Sequence, residues 1–402
     1  MDLKIISGGI TAAKGYLAAG VAAGVKYKDK KDIALIYSQC DAVVAGVYTT
    51  NRVKAAPLLL TMERAASGRA RSVVVNSGNA NACNGKRGME DALFMTERVA
   101  SALGIPVETV LVASTGVIGQ KMPMDRVLPG IDAAVEALAR EGGTDAAESI
   151  MTTDTTLKQF AVSFEAGGRR ITIGGMAKGS GMIHPNMATM LCFITTDATI
   201  EHKCLENCVR QAADRSFNMV SVDGDTSTND MVLALANGEA GNSTITGDSP
   251  DGEIFGQALT AVCTELAKMV AADGEGASKL IEVQVLNAAT EKDARMAARS
   301  VISSNLFKAA VFGRDANWGR IICAAGYSGA EFDPERVDIF IGDEQVAGNG
   351  AALEFSEDRA TEFLSRDTVS VTIDLKDGTH RATAWGCDLT YDYVRINGDY
   401  RS

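Results

Sequence analysis

A chain of 402 residues, 46% hydrophobic and 22% charged, is long enough to bury a sizeable core and to hold two or three domains. Its formal net charge of −12 argues against nucleic acid and anionic membrane surfaces as partners, because both require a basic face. The eight cysteines are scattered without a Cys-x-x-Cys pair, so neither a disulfide framework nor a metal site is expected.

Met1-Asp2-Leu3-Lys4 begins no secretory signal, and no apolar run approaches the roughly 18 residues that span a bilayer. The expectation is a cytoplasmic protein with reduced thiols. In chain order, Val73-Val74-Val75 is a short buried strand ending at Asn76-Ser77-Gly78-Asn79, a turn. Ala92, Met95, Val99 and Leu103 share one helical face, closed by Gly104 and Pro106. The strand Val110-Leu111-Val112 runs into Ser114-Thr115-Gly116. Ile131, Ala134, Val135 and Leu138 predict a second helix, ended by Gly142-Gly143. Met190 to Ile194 reads as a buried strand. Beyond it, Leu205, Cys208, Val209 and Ala212 stripe one helix, so Cys208 is core. A longer helix carries Phe255, Leu259, Val262, Leu266 and Met269 and runs out at Asp273-Gly274. Ile281, Val283 and Val285 alternate with polar residues, as a half-wet strand does. Val369, Val371, Ile373 and Leu375 alternate up to Lys376-Asp377-Gly378-Thr379, a hairpin turn signal. The mixture is α/β or α+β, with helices and buried strands interleaved to about residue 280 and a smaller C-terminal region after it.

The chemistry concentrates around residue 189. Gly174-Gly175-Met176-Ala177-Lys178-Gly179-Ser180-Gly181 can bring backbone close to a ligand. His184-Pro185-Asn186-Met187-Ala188-Thr189-Met190-Leu191 follows. A threonine opening a strand is ordinarily only that. If the chain breaks between Ala188 and Thr189, however, Thr189 gains an α-amine with a pKa of about 7.7–8.0 beside its own hydroxyl. One residue then supplies nucleophile and base. Acyl transfer through it needs donors aimed at the oxyanion, and Thr115-Gly116 is the candidate loop. Lys178 could meet a carboxylate, Thr152 could donate a hydrogen bond, and Glu275 between two glycines could meet a cation. No P-loop, dinucleotide fingerprint, calcium loop or Gly-x-Ser-x-Gly elbow is present. The acidic, Thr-rich stretch from Asp223 to Asp230 suggests no role by itself.

Lys178-Gly179-Ser180-Gly181-Met182 with residues 184–191 resembles the processing segment of the ornithine acetyltransferase family, the glutamate N-acetyltransferases. The likeness runs from Gly15-Tyr16-Leu17-Ala18-Ala19-Gly20 to Arg395-Ile396-Asn397-Gly398-Asp399-Tyr400. It implies an αββα sandwich with a smaller C-terminal α/β domain. It also implies self-cleavage between Ala188 and Thr189 into an α chain (1–188) and a β chain (189–402), paired as α₂β₂. The β chain would hold the rest of the core to about 280 and the small region over about 281–402. Thr189 would be the nucleophile, Thr115 and Gly116 the oxyanion pair, and Thr152, Lys178, Thr189, Glu275, Asn397 and Ser402 the substrate contacts. The implied reaction passes acetyl from N²-acetyl-L-ornithine to L-glutamate, giving L-ornithine and N-acetyl-L-glutamate without metal or redox cofactor. Acetyl-CoA is an expected second donor. The alternatives are a monofunctional enzyme that ignores acetyl-CoA, a related self-cleaving aminopeptidase or amidase, and a non-catalytic binding protein of the same fold.

Overall fold

The computed structural model describes residues 2–184 and 190–399. Before the 185–189 segment come β1 (Lys4–Ile6), β2 (Tyr16–Val21), β3 (Ile33–Tyr48), α1 (Ala56–Ala65), β4 (Arg69–Asn76) and α2 (Gly85–Leu103). They are followed by β5 (Val110–Ser114), α3 (Met124–Glu136), α4 (Gly143–Ser149), β6 (Lys158–Ala166) and β7 (Arg169–Lys178). After the segment come β8 (Leu191–Thr196), α5 (His202–Arg215), β9 (Val220–Ser221), β10 (Met231–Ala236), α6 (Pro250–Ala272), β11 (Leu280–Ala288) and α7 (Glu291–Ser303). The C-terminal part adds α8 (Asn305–Gly313), α9 (Trp318–Gly326), β12 (Asp338–Ile341), β13 (Glu344–Gly348), β14 (Ala351–Ala352) and α10 (Glu357–Leu364). It closes with β15 (Thr368–Asp374), β16 (His380–Cys387) and α11 (Tyr391–Asp399).

The 16-residue β3 serves two layers. Its first half pairs with β2 and β4, and its second half pairs with β10. One layer is therefore β2-β3-β4-β5, and the other is β1-β6-β7-β8-β10 with the end of β3. Period-two alternation packs them. Leu191, Phe193, Met231 and Leu233 meet Ile36, Val73 and Leu111 of the facing layer. Cys192, Ile194, Val232 and Ala234 point the other way, into a core with Leu205 and Val209 of α5 and Phe255 and Leu259 of α6. On the far side, Leu35, Val74 and Val112 pack on Met95 and Val99 of α2 and Ile131 of α3. The result is the expected αββα sandwich. Each large apolar side chain buried in these interfaces stabilises it by about 1.5–3 kcal/mol.

A second sheet, ordered β14-β13-β12-β15-β11-β16-β9, begins at Leu280 and also recruits the short β9 from the first unit. Here the hairpin expected at residues 376–379 is not one. β15 runs parallel to β11 and β16 antiparallel to it, so β11 lies between the two strands that the turn connects. The turn instead wraps the end of β11: the Leu375 and Asp377 amides donate to the Leu286 and Asn287 carbonyls.

Two other expectations need correction. α3 stops at Glu136, and Gly142-Gly143 opens α4 rather than ending a helix. The chain leaves α3 because Ala139 exchanges two backbone hydrogen bonds with Ala18 of β2. By length and composition alone, α6, with 23 residues, is apolar enough to cross a bilayer. Phe255, Leu259, Val262 and Leu266 instead bury one face against the sheet.

Candidate active site

Pairing brings three strand ends to one edge of the sandwich. Lys178, the last residue of β7, lies opposite Leu191, the first of β8, and Leu191 lies opposite Met231, the first of β10. The Met231 amide donates to the Met190 carbonyl at 2.9 Å. At this edge opens a cavity of about 110 Å³ lined by Thr115, Gly116, Thr152, Lys178, Glu275 and Asn397, among others. Every described residue of the expected site is thus in one place. Ala188, Thr189 and Ser402 lie outside the described residues; Met190, next in sequence to Thr189, lines the cavity.

One wall is neutral. The Thr115 amide is committed to the Asn76 carbonyl at 3.0 Å. Neither the Thr115 hydroxyl nor the Gly116 amide has an acceptor among the described residues. Gly116 sits at φ +129°, and a Cβ there would come 2.3 Å from the Gly78 carbonyl carbon, so no other residue fits. Amide side chains fix the loop from behind. Asn229 Nδ2 donates to the carbonyls of Ala80 (2.6 Å) and Ser114 (2.8 Å). Asn76 Nδ2 donates to the Asn79 carbonyl (2.8 Å), and Asn76 Oδ1 accepts from Ser114 Oγ (2.6 Å). The Asn76–Asn79 turn is therefore structural support for Thr115 and Gly116.

The other wall is ionic. Lys178 is the end of a strand, not a loop residue, and is 8% exposed, because β6 and β8 both reach the level of its backbone. Its Nζ is 3.9 Å from Asp154 Oδ2. Asp154 Oδ1 also accepts from Gly179 N–H (2.6 Å) and from Lys158 Nζ (2.7 Å), and Lys158 continues to Asp273 (2.5 Å). Burial alone would raise the Asp154 pKa, but Lys178 and Lys158 outweigh it and hold the carboxyl well below the usual carboxylate range. Asp273 is gripped in turn by the amides of Thr155 and Thr156. Two residues on, Glu275 accepts a hydrogen bond from Asn397 Nδ2 of α11 at 2.9 Å. Thr152 bridges the network to the surface, its amide donating to Asp154 and its carbonyl accepting from Lys30. No group of three or more His, Cys, Asp or Glu side chains that could hold a metal occurs among the described residues.

A family model described as the ArgJ family matches residues 17–402. The chain belongs to the ArgJ family. It is 59% identical over 402 residues to the arginine biosynthesis bifunctional protein ArgJ of Symbiobacterium thermophilum, covering 100% of both chains. The protein of the same description from Bacillus subtilis is 48% identical over 398 residues, covering 99% of this chain and 97% of that one. Among solved structures, the arginine biosynthesis bifunctional protein argJ of Bacillus halodurans matches with a TM-score of 0.50 at 49% identity, covering 51% of this chain and 97% of that chain.

On this ArgJ-family frame the acidic stretch 223–230 acquires a place that its composition does not suggest. Asp223 accepts from the amides of Met182 (2.6 Å) and Ile183 (2.8 Å), and Thr226 Oγ1 donates to the His184 carbonyl (2.9 Å). The stretch therefore clamps the chain that leads into the 185–189 segment. His184 Nδ1 lies 3.0 Å from Ser221 Oγ, and burial together with Arg299 pushes its pKa down to about 4, so it is neutral at pH 7. Asp230 lines the cavity and is 3% exposed, and its Oδ2 has no partner among the described residues. Burial drives its pKa far up, against the pull of Ser227 and Lys178. A carboxyl buried with one oxygen unpartnered is a signal of function that only packing can reveal.

Proposed function

We propose that the pocket carries out the acetyl transfer of arginine biosynthesis, from N²-acetyl-L-ornithine to L-glutamate, through an acetyl ester on Thr189. The observation that carries this reading is the meeting, at the N-terminal edge of β8, of two uncommitted oxyanion donors with a buried lysine and a Glu–Asn pair. Scission of the Ala188–Thr189 bond frees the Thr189 amine, which takes the hydroxyl proton as Oγ attacks the acetyl carbonyl. The Thr115 hydroxyl and the Gly116 N–H stabilise the oxyanion; the Thr115 amide is already spent on Asn76. The C–N bond breaks and the proton returns to the leaving ornithine amine. Glutamate then attacks the ester with its α-amine and releases N-acetyl-L-glutamate. Lys178 meets the substrate α-carboxylate, Glu275 held by Asn397 meets the ornithine ammonium, and Thr152 and Ser402 complete the contacts.

β7 belongs to residues 1–188 and β8 to 189–402, and six register pairs join them, so the two chains stay associated after cleavage. A solved relative whose chain covers about half of this one supports such a division. A further pairing to α₂β₂, a cytoplasmic location, the absence of any cofactor and the use of acetyl-CoA as a second donor complete the proposal. The shared description of the relatives as bifunctional favours the second donor over a single-donor enzyme. The test is an intact-mass spectrum before and after N²-acetylornithine. Two polypeptides and one acetyl group on the fragment starting at Thr189 are expected. An active preparation that is a single 42.2 kDa chain would overturn the reading.

A further inference from the structure

We infer that the basic loop over residues 26–31, and the cleft it lines, hold the phosphorylated nucleotide tail of acetyl-CoA. The assignment rests on the two-donor reading above. In a chain of net charge −12, Lys26-Tyr27-Lys28-Asp29-Lys30-Lys31 carries four lysines against one acid. The loop is shaped from inside. The buried Asp32 carboxylate accepts the amides of Ala23 (2.7 Å) and Val25 (2.6 Å). Lys31 is spent on Asp145 (2.7 Å) and Glu148 (2.8 Å). Lys28 is exposed and forms no ion pair with any described residue. Tyr27 leaves 52% of its surface to solvent, with Lys26 Nζ 5.3 Å from its ring centroid. Arg126 Nη1 donates to the Gly24 carbonyl and brings a further cation to the loop, with Asp29 and Asp125 as the neighbouring acids.

The cleft lined by Lys26, Tyr27, Lys30, Gly78 and the amide-bound Asp32 meets the acetyl pocket at Thr152, which lines both. Lys30 donates to the Thr152 carbonyl at 2.8 Å, and Lys26 packs on Gly78, the residue against which Gly116 is seated. Neither the acetyl cavity, at about 110 Å³, nor the adjoining cleft, at about 20 Å³, encloses a nucleotide, so the tail would lie over the surface of the basic loop. An acyl-CoA must therefore place its thioester at Thr189 and its phosphates outside. There Thr189 Oγ would attack the acetyl carbon, the C–S bond would break, and the departing sulfur would take the proton from the α-ammonium. The exposed Lys28 and half-buried Lys26 beside an exposed aromatic ring suit phosphates and adenine. Acetylornithine has no group that needs them.

The experiment compares wild type with Lys28→Glu and with the double variant Lys26→Gln/Lys28→Gln, using three acetyl donors: acetyl-CoA, N-acetylornithine, and the acetyl thioester of N-acetylcysteamine, which lacks phosphates. The expected result is a KM for acetyl-CoA raised roughly tenfold or more, with the other two donors unaffected. In wild type, added salt should raise the KM for acetyl-CoA alone. Turnover of acetyl-CoA with an unshifted KM in both variants, or equal losses on the short thioester, overturns the assignment while leaving the two-donor reading intact. Absence of acetyl-CoA turnover in wild type overturns the two-donor reading, and this assignment with it.

Discussion

The two walls of the pocket solve different problems with different materials. The Thr115–Gly116 wall is built from backbone and neutral amides, and its donors are held open by Asn76 and Asn229. The Lys178 wall is an alternating buried chain of Lys178, Asp154, Lys158 and Asp273. Neutral dipoles are suited to charge that appears only in the transition state, because they need little reorganisation when it forms. Fixed ions are suited to charge that the substrate already carries. The cost differs too: each buried ion needs a counter-ion, whereas the amide wall needs only its hydrogen bonds made.

The largest effect should come from removing the proposed nucleophile. Thr189→Ala is expected to leave one 42.2 kDa polypeptide on a denaturing gel and to lower acetyl transfer by about 10⁴-fold or more. Whatever rate remains is what both walls achieve without a nucleophile. Full turnover in this variant would make the walls' chemistry something other than ester transfer.

Asp154→Asn attacks the ionic wall. It leaves Lys158 and Lys178 short of a counter-charge, and the loss should be about 3–5 kcal/mol in denaturant unfolding. The sign with pH follows from the depressed carboxyl. Its contribution is complete above the unfolded value of about 3.9 and disappears as pH falls through the folded value. Wild type and variant should therefore converge in strong acid and stay apart at neutral pH. A constant gap across that range would mean that the wall is held by packing rather than charge.

Gly116→Ala attacks the neutral wall: the new Cβ meets the Gly78 backbone and turns the donor away, at a cost of about 10²–10³ in kcat and about 1–3 kcal/mol of strain, less than Asp154→Asn should cost. Paired with Asp154→Asn, it separates a wall that serves the rate from one that serves the fold.

The walls also differ in how far the sequence discloses them. Alternation at Val369–Leu375 and the stripe Phe255–Leu266 locate elements, because burial on one face imposes a period. It does not say which strand lies beside which, so a turn read as a hairpin passes around β11. Thr115, Gly116, Lys178, Glu275 and Asn397 were legible through their motifs, and the structure brings them to one cavity. Asp154, Asn229 and Asp230 were not. Asp154 has Lys158 four positions on, but its partner Lys178 lies 24 positions away, Asn229 holds Ala80 149 positions away, and Asp230 is marked by an oxygen with no partner among the described residues; no local pattern encodes that.

Asp230 sits where the walls meet, next to Asn229 in sequence and within the field of Lys178, and it sharpens the comparison most finely. Burial raises its pKa, the opposite of the shift at Asp154, and so favours the neutral acid in the folded pocket. The linkage therefore reverses. Below about pH 3.9 both folded and unfolded forms are protonated and nothing is lost. As pH rises, the unfolded carboxyl ionises while the folded one does not, and stability drains away up to the folded value. Asp230→Asn removes this drain, so the variant's melting temperature should match wild type near pH 4 and exceed it by a few degrees at pH 8. The amide keeps a hydrogen-bond donor in the cavity, so kcat at neutral pH should survive this change but fall in Asp230→Ala. A variant less stable than wild type at pH 8 would mean that Asp230 is ionised in the fold and belongs to the wall of charges after all.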